Sequence, residues 1–167
     1  MSKPESQGRL TQMQIELIAA GTREPTWVTE GYKEYQKRLP KEWQLVLSEI
    51  PVAHRGKSQS VEKLKEEEGK KMLERVKSGG IVIAMDSRGS DWTTEKLAVR
   101  FTDWLQNANQ VQLMVGGPDG LSKGCLQRAD LTWSLSRLTF PHFMERLLLA
   151  EQIYRAWSVI NHHPYHK

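Results

Sequence analysis

The chain has 167 residues, of which 38% are hydrophobic and 26% charged; that length and balance suit one packed core and exclude a disordered or membrane-embedded chain. The formal net charge of +4 and a pI of about 9.2 allow an anionic partner such as RNA without requiring one. No apolar run approaches the roughly 18 residues that cross a bilayer, and the single cysteine, Cys125, excludes an internal disulfide and a multi-cysteine metal site.

Residues 1–13 are polar, with Pro4 and Gly8 and no aromatic residue. They lack the apolar stretch of a signal peptide and read as a disordered extension before one domain at 14–167. A lone cysteine is a small core residue, in keeping with a reducing, cytoplasmic setting.

From there short apolar runs alternate with helical patterns. Gln14 to Ala20 reads as a strand ended by Gly21, and Thr26 to Leu39 as a helix with Thr26 as N-cap after Pro25. Its inward face is Trp27, Gly31, Tyr35 and Leu39, or else Val28, Tyr32 and Tyr35. Trp43 to Ile50 is a strand closed by Pro51. Ser60 to Lys77 is a helix dense in charge, most of it a solvated face. Gly80 to Met85 is wholly apolar, as a central parallel strand should be. Thr93 or Thr94 caps a helix reaching about Asn107, with Leu97, Phe101, Trp104 and Leu105 inward. Val111 to Val115 is a fourth strand, Ser122 opens a short helix to Ala129, and Leu131 to Leu135 is a fifth strand. Phe143 to Ile160 is the last helix, with Phe143, Leu147, Ala150, Tyr154 and Trp157 along one face. This alternation predicts an α/β fold, a parallel sheet flanked by helices on both sides. Ligands of such sheets bind at the carboxyl ends of strands.

Three strand-end loops therefore draw attention. After Val115 comes Gly116-Gly117-Pro118-Asp119-Gly120. Its glycines allow close approach to a ligand, or simply make a tight turn. After Met85 comes Asp86-Ser87-Arg88-Gly89; a carboxylate there binds a ribose hydroxyl or an amino group, or caps the turn. After Leu135 comes Ser136-Arg137-Leu138-Thr139-Phe140-Pro141-His142, apolar for a loop. It suits a wrapped adenine, or a buried crossing segment.

The Gly-x-Gly-x-x-Gly dinucleotide motif is absent. Gly56-Lys57-Ser58 resembles the end of a phosphate loop, but the motif needs a glycine where Pro51 stands, and proline offers no N–H to a phosphate. A nucleotide hydrolase is disfavoured on that defect. His54, Arg55 and Lys57 still make a basic loop, suited to RNA phosphates or to plain solvation. The chain ends Asn161-His162-His163-Pro164-Tyr165-His166-Lys167. Pro164 breaks the helical register that His162 and His166 would need to share a metal, and no carboxylate joins them, so no metal is expected. The tail is either a solvated end or a set of polar and aromatic groups suited to a splayed base.

The glycine loop through Leu121, the segment 133–142 (WSLSRLTFPH), and the ending Tyr154-Arg155-Ala156-Trp157-Ser158 with His163-Pro164-Tyr165-His166 occur together in this order. That set resembles the RlmH family, SPOUT methyltransferases that modify N3 of a pseudouridine in 23S (large-subunit) ribosomal RNA. Gly21-Thr22 with Pro25 and Trp27, and Arg55-Gly56-Lys57, also fit. The resemblance covers residues 13–167 and implies a C-terminal trefoil knot, a homodimer, and S-adenosylmethionine as cofactor. It implies that Met85, Asp86, Gly116, Gly117 and the run Ser136, Arg137, Leu138, Thr139, Phe140, Pro141 hold that cofactor. The tail would reach the active site, its own or that of a partner subunit, with His163, Tyr165, His166 and Arg155 acting in catalysis. Arg55, Lys57, His142 and Lys167 would meet RNA on the assembled ribosome. Lys167 stands where family members often end in Arg or Arg-Glu. It keeps the charge and loses bidentate geometry.

Methyl transfer to N3 needs that nitrogen's proton removed; His163, His166 and His142 are the candidate bases. Arg155 and Lys167 would hold a phosphate or stabilise charge on a base oxygen, and Glu145 and Arg146 would pair in a dimer interface. Two rivals remain open: an RNA- or ribosome-binding protein without catalysis, and a SPOUT methyltransferase of other RNA specificity.

Overall fold

The computed structural model of the chain describes residues 12–52, 54 and 56–167. Most of the expected N-terminal extension, and Arg55, lie outside the described residues. Five strands form one parallel sheet: β1 (Met13–Ala20), β2 (Trp43–Ile50), β3 (Ile81–Asp91), β4 (Gln110–Val115) and β5 (Leu131–Ser134). Their order across the sheet is β2-β1-β4-β3-β5. The helices are α1 (Thr26–Arg38), α2 (Val61–Arg75), α3 (Thr94–Asn107), α4 (Lys123–Arg128) and α5 (His142–Ile160), followed by a 3₁₀ turn, Pro164–His166.

Burial on both faces explains the apolar strands. One core joins Ile15, Leu17, Ile83, Leu113 and Trp133 to α1, α3 and α5. A smaller one joins Ile18, Val82, Ala84 and Met114 to Met72 of α2 and Cys125 of α4. Cys125 is fully buried, and burial pushes its thiol pKa up, as a core residue requires. Gln112, only 1% exposed, is the polar exception in β4. Its amide donates to Glu16 Oε2 at 2.7 Å and to Arg75 O at 2.9 Å, and accepts from Lys77 N at 2.9 Å, so no part of it is left unbonded.

Local chemistry sets the helix starts. Ser60, Thr93 and Ser122 each accept a hydrogen bond from the backbone N–H three residues on, at 3.3, 3.1 and 3.2 Å. Thr26 does not cap α1: Pro25 holds that position and Thr26 is the first helical residue. Val28 and Tyr32 form the buried face of α1, while Trp27 is 52% exposed.

Two further expectations are corrected. β3 runs on to Asp91, through residues read as a loop, because Ser90 and Asp91 pair again with β5. Met85 and Ser90 both face Trp133, so the intervening residues, 86–89, stand out of the ladder as a wide bulge. In α5 the buried residues are Arg146, Leu149, Ala150, Ile153, Tyr154, Ala156 and Ser158, whereas Phe143, Leu147 and Trp157 are half-buried. The helix is apolar around most of its girth, and the true inward face carries a charge, which a hydrophobic stripe cannot reveal.

That charge is Arg146, 3% exposed. It meets Glu24 at 2.9 Å and Glu49 at 3.5 Å, and donates to the carbonyls of Ala20 and Gly21 at 3.4 and 3.3 Å. It therefore pairs away from Glu145 and inside the molecule, not in the interface pair expected for it. Arg146→Ala leaves two carboxylates facing each other with no cation, a change that costs about 3–5 kcal/mol. The expected result is a melting temperature lower by roughly 10 °C, read by circular dichroism; an unchanged value would show the cluster to be dispensable.

Candidate functional site

The three loops named from sequence follow β3, β4 and β5. Because β3 lies between β4 and β5, the loops meet at one end of the sheet. They enclose a cleft of about 690 Å³ lined by Met85, Asp86, Ser87 and Arg88, by Gly116 to Gly120, and by Thr139 to His142 with Glu145 and Lys65. That volume falls in the range of roughly 300–1,000 Å³ usual for small-ligand sites. A side compartment of about 180 Å³ shares Met85, Asp86, Thr139, Phe140 and Glu145 and reaches back to Trp133, Ser136, Arg137 and Leu138. All ten residues expected to hold cofactor thus line one connected space.

Each loop is shaped by its own bonds. Gly120 N–H donates to Gly117 O at 3.0 Å, closing a turn over Pro118 and Asp119, and Gly120 takes a positive φ of 83°. Gly116 sits against that turn: a Cβ there would lie 2.6 Å from Gly120 C and 2.9 Å from Leu121 N. Gly117 is less crowded, its Cβ meeting Glu68 Oε2 at 3.4 Å and Ala20 Cβ at 3.5 Å. In the last loop, Ser134 Oγ donates to Ser136 O and Leu138 N–H to Ser136 Oγ, both at 3.0 Å. Arg137 reaches out to Asp91 at 2.9 Å, and Leu138 is 73% exposed.

Charge in the cleft is uneven. Arg88 grips Asp86 through Nε at 3.0 Å, Nη2 at 3.0 Å and its backbone N–H at 2.8 Å. That hydrogen-bonded guanidinium, with Lys65 adding to it, holds the Asp86 carboxyl below the usual carboxylate range. Among the described residues Glu145 has no such cation. Burial, and then the charge of Asp86, push its pKa up to about 7. Sequence reasoning placed Glu145 elsewhere; a carboxylate one turn into a helix that opens at a cleft, three residues after His142, was the available signal.

The tail lies elsewhere in the same chain. His142 opens α5 at the cleft and Ile160 closes it, which puts about 27 Å of helix between them. The tail then folds back onto α5 and α1 in an aromatic cluster. Tyr165 OH bonds Glu151 Oε1 at 3.0 Å and Tyr35 OH at 3.3 Å; Glu151 also takes Arg155 Nε at 2.8 Å. Tyr165 stands 4.7 Å from the Tyr154 ring and His163 5.4 Å from Trp157. Burial and these two bonds raise the Tyr165 pKa, so it stays a phenol and acts as a donor. The Tyr165 backbone N–H donates to His163 Nδ1 at 3.2 Å, and His166 Nδ1 is buried with no partner among the described residues. Lys167 and Lys57 are exposed at separate places. The structure thus brings together the cofactor residues and His142 in one place, and His163, Tyr165, His166 and Arg155 in another. Among the described residues no three His, Cys, Asp or Glu side chains gather to hold a metal, and no helix is long and apolar enough to cross a membrane.

Residues 13–166 match the family described as predicted SPOUT methyltransferase. The chain belongs to the SPOUT methyltransferase family. It is 54% identical to "Ribosomal RNA large subunit methyltransferase H" of Marinomonas sp. (strain MWYL1) over 155 residues, 93% of this chain and 100% of that protein. Proteins of the same name from Thioalkalivibrio sulfidiphilus (strain HL-EbGR7) and Ectopseudomonas mendocina (strain ymp) are 48% and 50% identical over 93% of this chain and 99% and 100% of theirs. As a SPOUT methyltransferase of this type the chain takes its methyl group from S-adenosylmethionine.

The raised Glu145 pKa has a stability consequence. Above about pH 4.5 the unfolded carboxyl ionises while the folded one keeps its proton to about 7, so stability falls as pH rises through that window. Glu145→Gln should raise the melting temperature by roughly 3–6 °C at pH 8 and change it little at pH 4.5. Equal effects at both pH values would mean that the carboxyl is not buried in its protonated form.

Proposed function

We propose that this SPOUT methyltransferase methylates N3 of a pseudouridine in 23S ribosomal RNA, on the assembled ribosome in the cytoplasm, as a homodimer. The observation that carries the reading is that seven of the ten proposed cofactor residues line one cleft of ligand size and the other three line the compartment beside it. The names of its relatives supply the large-subunit RNA substrate.

The cleft suits S-adenosylmethionine by its chemistry. Met85, Phe140, Pro118 and Pro141 offer apolar walls for an adenine, Asp86 offers negative charge to a sulfonium or an amino group, and Glu145 offers a carboxyl to hydrogen-bond. When bound, that cofactor supplies an already activated methyl group. The protein's own share is then positioning, and taking the N3 proton.

Reach supports the homodimer. Within one chain α5 separates His163, Tyr165 and Arg155 from the cleft, so a tail that acts on the base does so in a partner's cleft. Its residues are already ordered for this by Tyr35, Tyr154 and Glu151. In this reading His163 Nδ1 is occupied by the Tyr165 backbone N–H, which favours His142 and His166 as the bases. The trefoil knot belongs to the same proposal.

Two experiments test this. Deleting residues 163–167 should abolish transfer of labelled methyl to ribosomes lacking the modification, while calorimetry still shows cofactor binding; retained transfer would remove the tail from the active site. Gly116→Ala should weaken cofactor binding by about tenfold or more by pushing the turn out of place, and unaltered affinity would mean that the glycine loop does not touch the cofactor.

A further inference from the structure

A methyl donor held in the cleft needs its acceptor atom within about 3–3.5 Å, so the acceptor's binding site must share a wall with the cleft. Two cavities do. One, of about 350 Å³, lies behind the last loop and is lined by Trp92, Trp133 and Leu148 among others. Its ring faces are taken: Trp92 stacks on Trp133 at 4.9 Å, and Arg100 covers Trp92 at 4.2 Å. The other, of about 480 Å³, opens at the carboxyl ends of β1 and β2 and is lined by Gly21 to Glu24, Pro51, Val52, His54 and His142.

We propose that this second cavity receives the target pyrimidine nucleotide, splayed out of its RNA, with Arg23 on its phosphate and His142 between it and the cofactor. The inference rests on the methyltransferase reading above and names the acceptor side of the same site. His142 lines both spaces. Ala20, at the end of β1, also touches the glycine loop, since a Cβ on Gly117 would lie 3.5 Å from its Cβ. The two cavities are therefore neighbours across the β1–β4 pair.

The walls have the right chemistry. Arg23 is exposed and engages no ion pair or hydrogen bond among the described residues, unlike Arg88 and Arg137, which are held by Asp86 and Asp91. A free guanidinium at a cavity mouth is the usual partner of an RNA phosphate. Thr22 and the two imidazoles offer hydrogen bonds to a base edge. The floor is tied down by contacts: Arg146 holds Glu24 and the Ala20 and Gly21 carbonyls from beneath. An uncovered base, pulled from its stack, meets a preformed wall.

The test compares steady-state methyl transfer to undermodified ribosomes by the full chain and three variants. Arg23→Ala should raise the KM for ribosomes by about tenfold and lessen the slope of log KM against log salt by about 1. Thr22→Trp, which fills the cavity, should lower kcat/KM by more than about tenfold. Cofactor affinity should be native in both. Lys41→Ala, which removes a charge before the amino end of β2, at the opposite end of that strand from the cavity, should change none of these. Native KM and salt slope in Arg23→Ala, with native turnover in Thr22→Trp, would overturn the assignment while leaving the methyltransferase reading intact. No transfer by the unaltered chain would overturn both.

Discussion

The end of the sheet that carries the chemistry is held by one buried guanidinium. Arg146 projects from α5 and binds, at once, Glu24, the end of β2 through Glu49, and the carbonyls where β1 stops. Three chain segments far apart in sequence, residues 20–24, the end of β2 and α5, thus meet at a single cation. Removing the Glu24 carboxylate and the guanidinium from water is expensive, and their mutual attraction offsets that cost only while the geometry holds. The cluster is best understood as a positioning device. It sets where α5 starts, and α5 starts with His142 at the cleft.

Above this support the cleft separates two carboxylates by environment. Asp86 is ionised under Arg88, whereas Glu145 keeps its proton to near neutrality because it is buried and lies near the Asp86 charge. Two like groups facing one space therefore differ in charge at a given pH. A cationic ligand entering beside them meets one fixed negative charge and a second that can be drawn out.

Much of this architecture is legible in the sequence, and the reasons are local. Runs such as GIVIAM and VQLMV have no polar face, so they belong in the middle of a parallel sheet. Ser60, Thr93 and Ser122 announce helix starts because their oxygens satisfy backbone donors a few residues away. The strand-end loops were found by the same reasoning plus the general rule for open sheets. What escaped depends on long-range partners. β3 continues past Asp86 because of β5, not because of its own polar residues. The inward face of α5 carries Arg146, and only the distant Glu24 and Glu49 make that position tolerable. The resemblance put the tail in the active site; a distance across a 19-residue helix is not something spacing in the chain displays.

That helix has a consequence for inheritance. On the homodimer reading, each working centre takes its pocket from one copy and its tail from the other. A copy with a ruined pocket but a sound tail, paired with a copy lacking its tail but keeping its pocket, still builds one complete centre out of two. Two alleles that are each silent alone would then restore modification when expressed together. A cell carrying a tail-less allele beside a normal one would keep part of its activity in mixed pairs.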